Sequence, residues 1–144
     1  MRFLLDTNLL SETRKPRPDL GVRSWIAAQP AEELAISVLS LGEIRRGVVL
    51  HRGGRRKEML QSWLSEDLPD TYKGRMIPID DAIALEWGRV SAEAMNRGRT
   101  VPDADGLLVA TAIVLNLTLV TRNERHCAGW GAPLINPWSG ETRD

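Results

Sequence analysis

The chain has 144 residues, 19 Lys and Arg balanced by 19 Asp and Glu, and one cysteine, Cys127. That length suits a single domain, residues 1–144, and the zero net charge excludes long-range attraction to nucleic acid except through a local basic patch. One thiol excludes an internal disulfide, no apolar run approaches the ~20 residues that span a bilayer, and no basic leader precedes the first apolar run; the expectation is a soluble, cytoplasmic protein.

Phe3-Leu4-Leu5 is a short apolar run ending on Asp6, the pattern of a fully buried strand in a parallel sheet. Leu9 to Arg14 fits a short helix, stopped by Lys15-Pro16-Arg17-Pro18. Asp19 is an N-cap candidate for a helix with Val22, Trp25 and Ile26 on one face, ending before Pro30. Leu34-Ala35-Ile36 reads as a second strand, and Ser37 as the cap of a helix carrying Leu41, Ile44 and Val48. Gly53-Gly54 breaks that helix. Another runs from about Arg55 to Leu68, with Met59, Leu60, Trp63 and Leu64 on one side.

Arg75 to Ile79 reads as a third strand, and Asp80 or Asp81 opens a helix with Ile83, Trp87, Val90 and Ala94 inward. Gly106 to Leu115 is apolar almost all round, which predicts the central packed helix; Asn116 is a left-handed terminator candidate. Leu117 to Thr121 and Pro133 to Ile135 supply a fourth and a fifth strand. Strands alternating with helices, and no hairpin signals, predict a parallel α/β sandwich.

Three acids fall at element junctions: Asp6 after the first strand, Glu43 in the first turns of a helix, and Asp105 at the start of the central helix. Functional groups in open α/β sheets collect beyond the carboxyl ends of the strands. Carboxylates there are natural ligands for Mg²⁺ or Mn²⁺. The same residues have plainer roles open to them. Asp6 and either Asp103 or Asp105 suit helix caps, and Glu43 suits a surface pair with Arg45 or Arg46.

Asp6-Thr7-Asn8-Leu9-Leu10-Ser11-Glu12 resembles the opening motif of PIN-domain ribonucleases, in particular the VapC and FitB-like toxins of toxin–antitoxin pairs. Ser37 to Ile44 is similar to the second motif of that family, Pro102 to Ala112 to the third, and Thr121-Arg122-Asn123 to the fourth. Leu134-Ile135-Asn136-Pro137-Trp138 resembles the FitB-like tail. The resemblance runs in order from Phe3 to Trp138. It implies a PIN-like three-layer sandwich with a short parallel sheet of four to five strands, and a Mg²⁺- or Mn²⁺-dependent endoribonuclease acting on transfer RNA or another structured RNA. Asp6, Glu43 and Asp105 would be its metal-binding, catalytic acids, and Thr7, Asn8, Thr121 and Asn123 would orient them, with Asp103 a cap or a supporting group. One position departs from the pattern: His126 stands where many members carry a further aspartate, which puts a second metal in doubt. A haloacid-dehalogenase-type phosphatase also opens on a strand and an aspartate, but it has a second aspartate where Asn8 stands.

Arg45, Arg46, Arg52, Arg55, Arg56 and Lys57 form the densest basic stretch; Arg97, Arg99, Arg122 and Arg125 form a second. Arg46, Arg122 and Arg125 are the candidates for holding RNA phosphates, since phosphate contacts position a substrate that an acidic site cuts. The resemblance also implies a VapB- or FitA-like antitoxin that blocks the acidic pocket, a homodimer within larger complexes, and promoter DNA bound only through the antitoxin. The competing expectation is a catalytically silent PIN-like binding module, which His126 favours.

Overall fold

The computed structural model describes residues 1–138 and the backbone of 141–143. Five parallel strands form the sheet: β1 (Phe3–Leu5), β2 (Leu34–Ser37), β3 (Met76–Ile77), β4 (Thr118–Val120) and β5 (Leu134–Asn136). A sixth, β6 (Glu141–Arg143), pairs antiparallel with β5, and the strand order is β3-β2-β1-β4-β5-β6. The sequence reading stopped at five strands because Glu-Thr-Arg carries no apolar alternation. Backbone pairing along the open edge of β5 makes the sixth.

The helices are α1 (Thr7–Glu12), α2 (Leu20–Ala27), α3 (Val38–Leu50), α4 (Arg55–Ser62), α5 (Leu68–Thr71), α6 (Asp81–Asn96), α7 (Asp103–Leu115) and α8 (Glu124–Cys127). Three of the expected side-chain caps are present. Asp19 Oδ1 accepts from Val22 N, Ser37 Oγ from Leu39 N, and Asp80 Oδ1 from Ile83 N. Asn116 ends α7 at φ 54° and ψ 49°. Helix α1 begins earlier than expected, because Asp6 itself caps it. Between α4 and α5 the chain widens into a π-helical turn, Trp63–Asp67. Pro69 lies just beyond; it has no N–H for the preceding turn and its ring crowds the carbonyl four residues back.

Alternation along the strands divides the core into two layers. Leu4, Ala35, Leu119 and Leu134 face α6 and α7, where Val90, Leu108, Val109 and Ala112 are buried. Phe3, Leu5, Ile36 and Val120 face the other way, against Leu9, Val22, Ile44, Val48 and Trp63. The result is the expected three-layer sandwich. Met59 departs from the expected apolar face of its helix and is 52% exposed. Gly106 lets α7 meet α6 closely, since a Cβ there would sit 3.0 Å from Trp87 Cδ1. No helix among the described residues is long and apolar enough to cross a membrane.

Two glycines give opposite expectations. A Cβ on Gly21, in α2, would lie 2.5 Å from the backbone oxygen of Pro137, whereas one on Gly47, in α3, meets nothing within 4 Å. Gly21→Ala should destabilise by about 1–3 kcal/mol through overpacking. Gly47→Ala should stabilise by roughly 0.5–1 kcal/mol. Thermal melts followed by circular dichroism check both, at roughly 2–4 °C per kcal/mol for a chain of this size.

Candidate active site

The strand order reverses between β1 and β4, which makes their shared carboxyl end the topological switch point of the sheet. Register aligns Leu5 with both Ile36 and Val120, and Val120 with Ile135. The next residue along each strand is polar and buried: Asp6, Ser37, Thr121 and Asn136. The sheet therefore ends in a polar rim under helices α1, α3, α7 and α8.

Asp6 is 4% exposed, with both carboxylate oxygens engaged. Oδ1 accepts from Asn8 N at 2.6 Å and caps α1, while Oδ2 accepts from the Thr121 hydroxyl at 2.5 Å. The two roles left open for Asp6 are not exclusive, because capping uses only one of its oxygens. Burial pushes its carboxyl pKa up; the charges of Asp105 and Glu43 add to that push, and the bonds from Thr121 and Asn8 oppose it.

Helix α3 brings up Glu43, whose Oε1 accepts from the Thr7 hydroxyl at 2.7 Å. Thr7 Oγ1 also lies 2.7 Å from Ser40 Oγ, one turn earlier on α3 and fully buried. Ser40 was not singled out from the sequence. Its signal was the three-residue spacing to Glu43, which puts both on one helix face. Arg46 approaches the other oxygen of Glu43 at 4.0 Å from an exposed position.

Asp105 stands in the first turn of α7, where the helix dipole favours negative charge. Its Oδ2 accepts from Asn123 Nδ2 at 2.7 Å and lies 3.2 Å from His126 Nδ1. Burial raises its pKa, with a further push from Glu43, while His126 and Asn123 hold it back. His126 is therefore part of the acid cluster. Cys127, buried behind it, has its thiol pKa pushed up by burial and by the charges of Asp105 and Asp6.

Two expected site residues sit elsewhere. Asp103 is exposed and caps nothing: Pro102 occupies the N-cap of α7, without a side-chain bond. Asp103 lines a separate cavity with Ser91, Met95 and Arg99, because two residues along a helix turn the side chain away from Asp105. Arg122 stacks over the Trp138 ring at 5.3 Å and faces a small cavity with Asn8, Ser11, Glu12 and Lys15. Glu12, buried and unassigned from the sequence, accepts from Lys15 Nζ at 3.0 Å and from Asp19 N at 2.9 Å. Those bonds, chiefly the one from Lys15, and the Arg122 charge hold its carboxyl below the ordinary range. Arg125 lies exposed on α8.

As a donor set, Asp6, Glu43 and Asp105 suit a hard divalent cation, which would offset the burial and, to a lesser degree, the mutual repulsion that raise the pKa values of Asp6 and Asp105. Among the described residues no three His, Cys, Asp or Glu side chains are drawn together closely enough to hold a metal ion between them.

The PIN domain family model matches residues 3–128. The chain is 31% identical to toxin FitB of Neisseria gonorrhoeae over 136 residues, covering 94% of this chain and 98% of that protein. It is 33% identical to a VapC ribonuclease of Sinorhizobium fredii, covering 94% and 97%. Among solved structures, FitAcB from Neisseria gonorrhoeae superposes with a TM-score of 0.88 at 31% identity, over 94% of this chain and 98% of that one. A FitAB structure bound to a DNA fragment gives 0.88 at 29% identity, over 94% and 95%.

Asp6 and Asp105, raised, and Glu12, lowered, contribute opposite pH responses. A raised folded pKa means that the stability Asp6 contributes is full below its unfolded value and declines as pH rises through the folded one. Asp6→Asn should therefore melt higher than wild type near pH 7 without divalent cations, and the gap should close in acid. Glu12, lowered, contributes stability above its unfolded pKa that is lost as pH falls through its folded one. Glu12→Gln should melt lower than wild type at neutral pH, with that gap also closing in acid. Melting temperatures from pH 3 to 8 in EDTA read out both.

Proposed function

The chain belongs to the PIN-domain family, and from that premise we propose that it is the toxin of a toxin–antitoxin pair, a Mg²⁺- or Mn²⁺-dependent endoribonuclease. The observation that carries this reading is the cluster itself: a buried carboxylate at the switch point, clamped by Thr121 and Asn8, in the field of Asp105 and Glu43. A group so costly to ionise is retained where its charge has a use.

Asp6, Glu43 and Asp105 would hold the cation. When bound, it supplies Lewis acidity towards a phosphoryl oxygen and makes water a better nucleophile. The chain's own contribution is preorganisation. Thr121 and Asn8 fix Asp6, Thr7 turns Glu43 inwards, and Asn123 holds Asp105. Arginines at the rim position the strand without reading its sequence. The substrate class is RNA, with transfer RNA or another structured RNA as the target.

The partner is a VapB- or FitA-like antitoxin that covers the acid cluster, within a complex built on a toxin homodimer. Promoter DNA belongs to the antitoxin's side of that complex. The FitAB neighbour, bound to DNA, supports this assignment.

One observation favours a second reading, a catalytically silent module of the same complex. Asp105 is already engaged by His126 and Asn123, and both Asp6 oxygens by Thr121 and Asn8. Cleavage of total RNA by antitoxin-free protein separates the two. Discrete products in Mg²⁺ or Mn²⁺, absent in EDTA and reduced at least about 100-fold in Asp6→Asn, are expected of the nuclease. Equal cleavage by Asp6→Asn would overturn the assignment of the site. No cleavage by folded wild type would select the silent module.

A further inference from the structure

The second basic stretch does not act as one patch. Arg122 is turned to Trp138 and the Glu12 cavity, while Arg97 pairs with Glu93 and stacks on Trp130 at 5.0 Å. Arg99 and Arg125, with Gly98, Thr100 and His126, line a separate notch of about 280 Å³. Its described lining has two guanidinium groups, a hydroxyl and an imidazole, and no carboxylate.

The notch is preorganised. Arg99 Nη1 donates to Ala128 O at 3.1 Å and Nη2 to Arg125 O at 2.9 Å, and the guanidinium lies 4.3 Å over the Trp130 ring. Trp130 is itself pinned, its Nε1 donating to His126 O at 2.9 Å. Gly129, at φ +92°, leaves room beside the clamp, since a Cβ there would approach Arg99 Nη1 at 3.4 Å. The two backbone bonds use two of the five N–H groups of Arg99. Arg125 has no side-chain hydrogen bond or ion pair among the described residues. A held guanidinium beside an uncommitted one suits a tetrahedral oxyanion, which planar N–H forks grip in pairs.

Position identifies the anion. His126 lines the notch and also touches Asp105, so cationic notch and acid cluster share a wall. Carboxylates repel a phosphate close by, within the ~8 Å over which salt leaves charges visible to one another. A phosphodiester held in the notch has that repulsion offset by two guanidiniums. The lining is cationic and polar, with no aliphatic, indole or phenyl side chain, which suits a phosphate.

We propose that the notch formed by Arg99, Thr100, Arg125 and His126 binds an internal phosphodiester of the RNA strand, next to the one presented to the acid cluster. This rests on the ribonuclease reading and adds to it a fixed point for the strand. It also divides the basic residues: Arg99 and Arg125 hold substrate, and Arg122 braces the tail.

The test measures binding of a labelled single-stranded RNA by fluorescence anisotropy, in Mg²⁺, with antitoxin-free protein carrying Asp6→Asn to prevent cleavage. Arg125→Ala leaves the backbone carbonyl that Arg99 grips, and is added to that background, as are Arg125→Lys and, as a control, Arg55→Ala in the separate cavity between α4 and the segment Thr13 to Pro16. Arg125→Ala should weaken binding roughly tenfold, the scale of a charge-assisted hydrogen bond. It should also lower the slope of log affinity against log salt by about 0.7, the share of one phosphate contact on a single strand. Arg125→Lys should recover part of the affinity, and Arg55→Ala should change little. Equal losses in Arg125→Ala and Arg55→Ala would show undirected attraction and overturn the notch. So would an Arg125 effect confined to RNA with a 5′-terminal phosphate, which would make it a pocket for strand ends. Cleavage by wild type together with unchanged affinity in Arg125→Ala would overturn the notch alone; no binding and no cleavage by folded wild type would overturn the ribonuclease reading with it.

Discussion

The hydrogen bond from Thr121 to Asp6 joins the ends of β1 and β4 at the one place where the strand order reverses. It asks a buried carboxylate to stay where burial and two neighbouring acids disfavour its charge. Everything nearby limits that cost. Asn8 N takes the other oxygen, so the site is also the first turn of α1. Thr121 Oγ1 accepts in turn from Asn123 N, whose side chain holds Asp105. Helix cap, strand end and acid cluster are therefore one hydrogen-bonded unit, and loosening any member loosens the rest.

The layers outside this unit keep it in register. The two apolar faces of the sheet are packed separately, against α6 and α7 on one side and α1, α2 and α3 on the other. Glu43 and Asp105 come from opposite layers and meet only at the rim. Tryptophan serves as the brace at both flanks. Trp130 carries Arg97 and Arg99 and anchors α8, and Trp138 carries Arg122 and seats the tail beside α2. Indole faces beneath guanidinium groups leave those cations oriented rather than mobile. Trp63 and Trp130 are both buried in the apolar core, and each also carries an arginine on its ring, Arg14 in the case of Trp63.

Much of the architecture was legible in the chain because it is local. Asp19, Ser37 and Asp80 each cap the helix that follows them by bonding two or three residues ahead, and the short apolar runs mark strands whose two faces are both covered. Adjacent positions carried the same kind of information at the site: Asp6, Glu43 and Asp105 stood out by where they fall relative to strand ends and helix starts. Asp103 shows the limit. A cap was plausible on spacing, but Pro102 took that place, and Asp103 lines an exposed cavity with Ser91 and Arg99 instead.

By itself the sequence determined the order of the main elements and the central buried helix, since these follow from periodicity, while the grouping of Asp6, Glu43 and Asp105 came from the family resemblance. Only the tertiary structure decided the employment of each polar side chain. Ser40 reaches Thr7 across 33 residues, Thr121 reaches Asp6 across 115, and His126 reaches Asp105 across 21. It likewise divided the arginines, sending Arg122 to an indole and Arg99 to two carbonyls. Long-range partners depend on which surfaces the packed layers bring together, and a guanidinium's sequence neighbours do not specify the ring it will stack on.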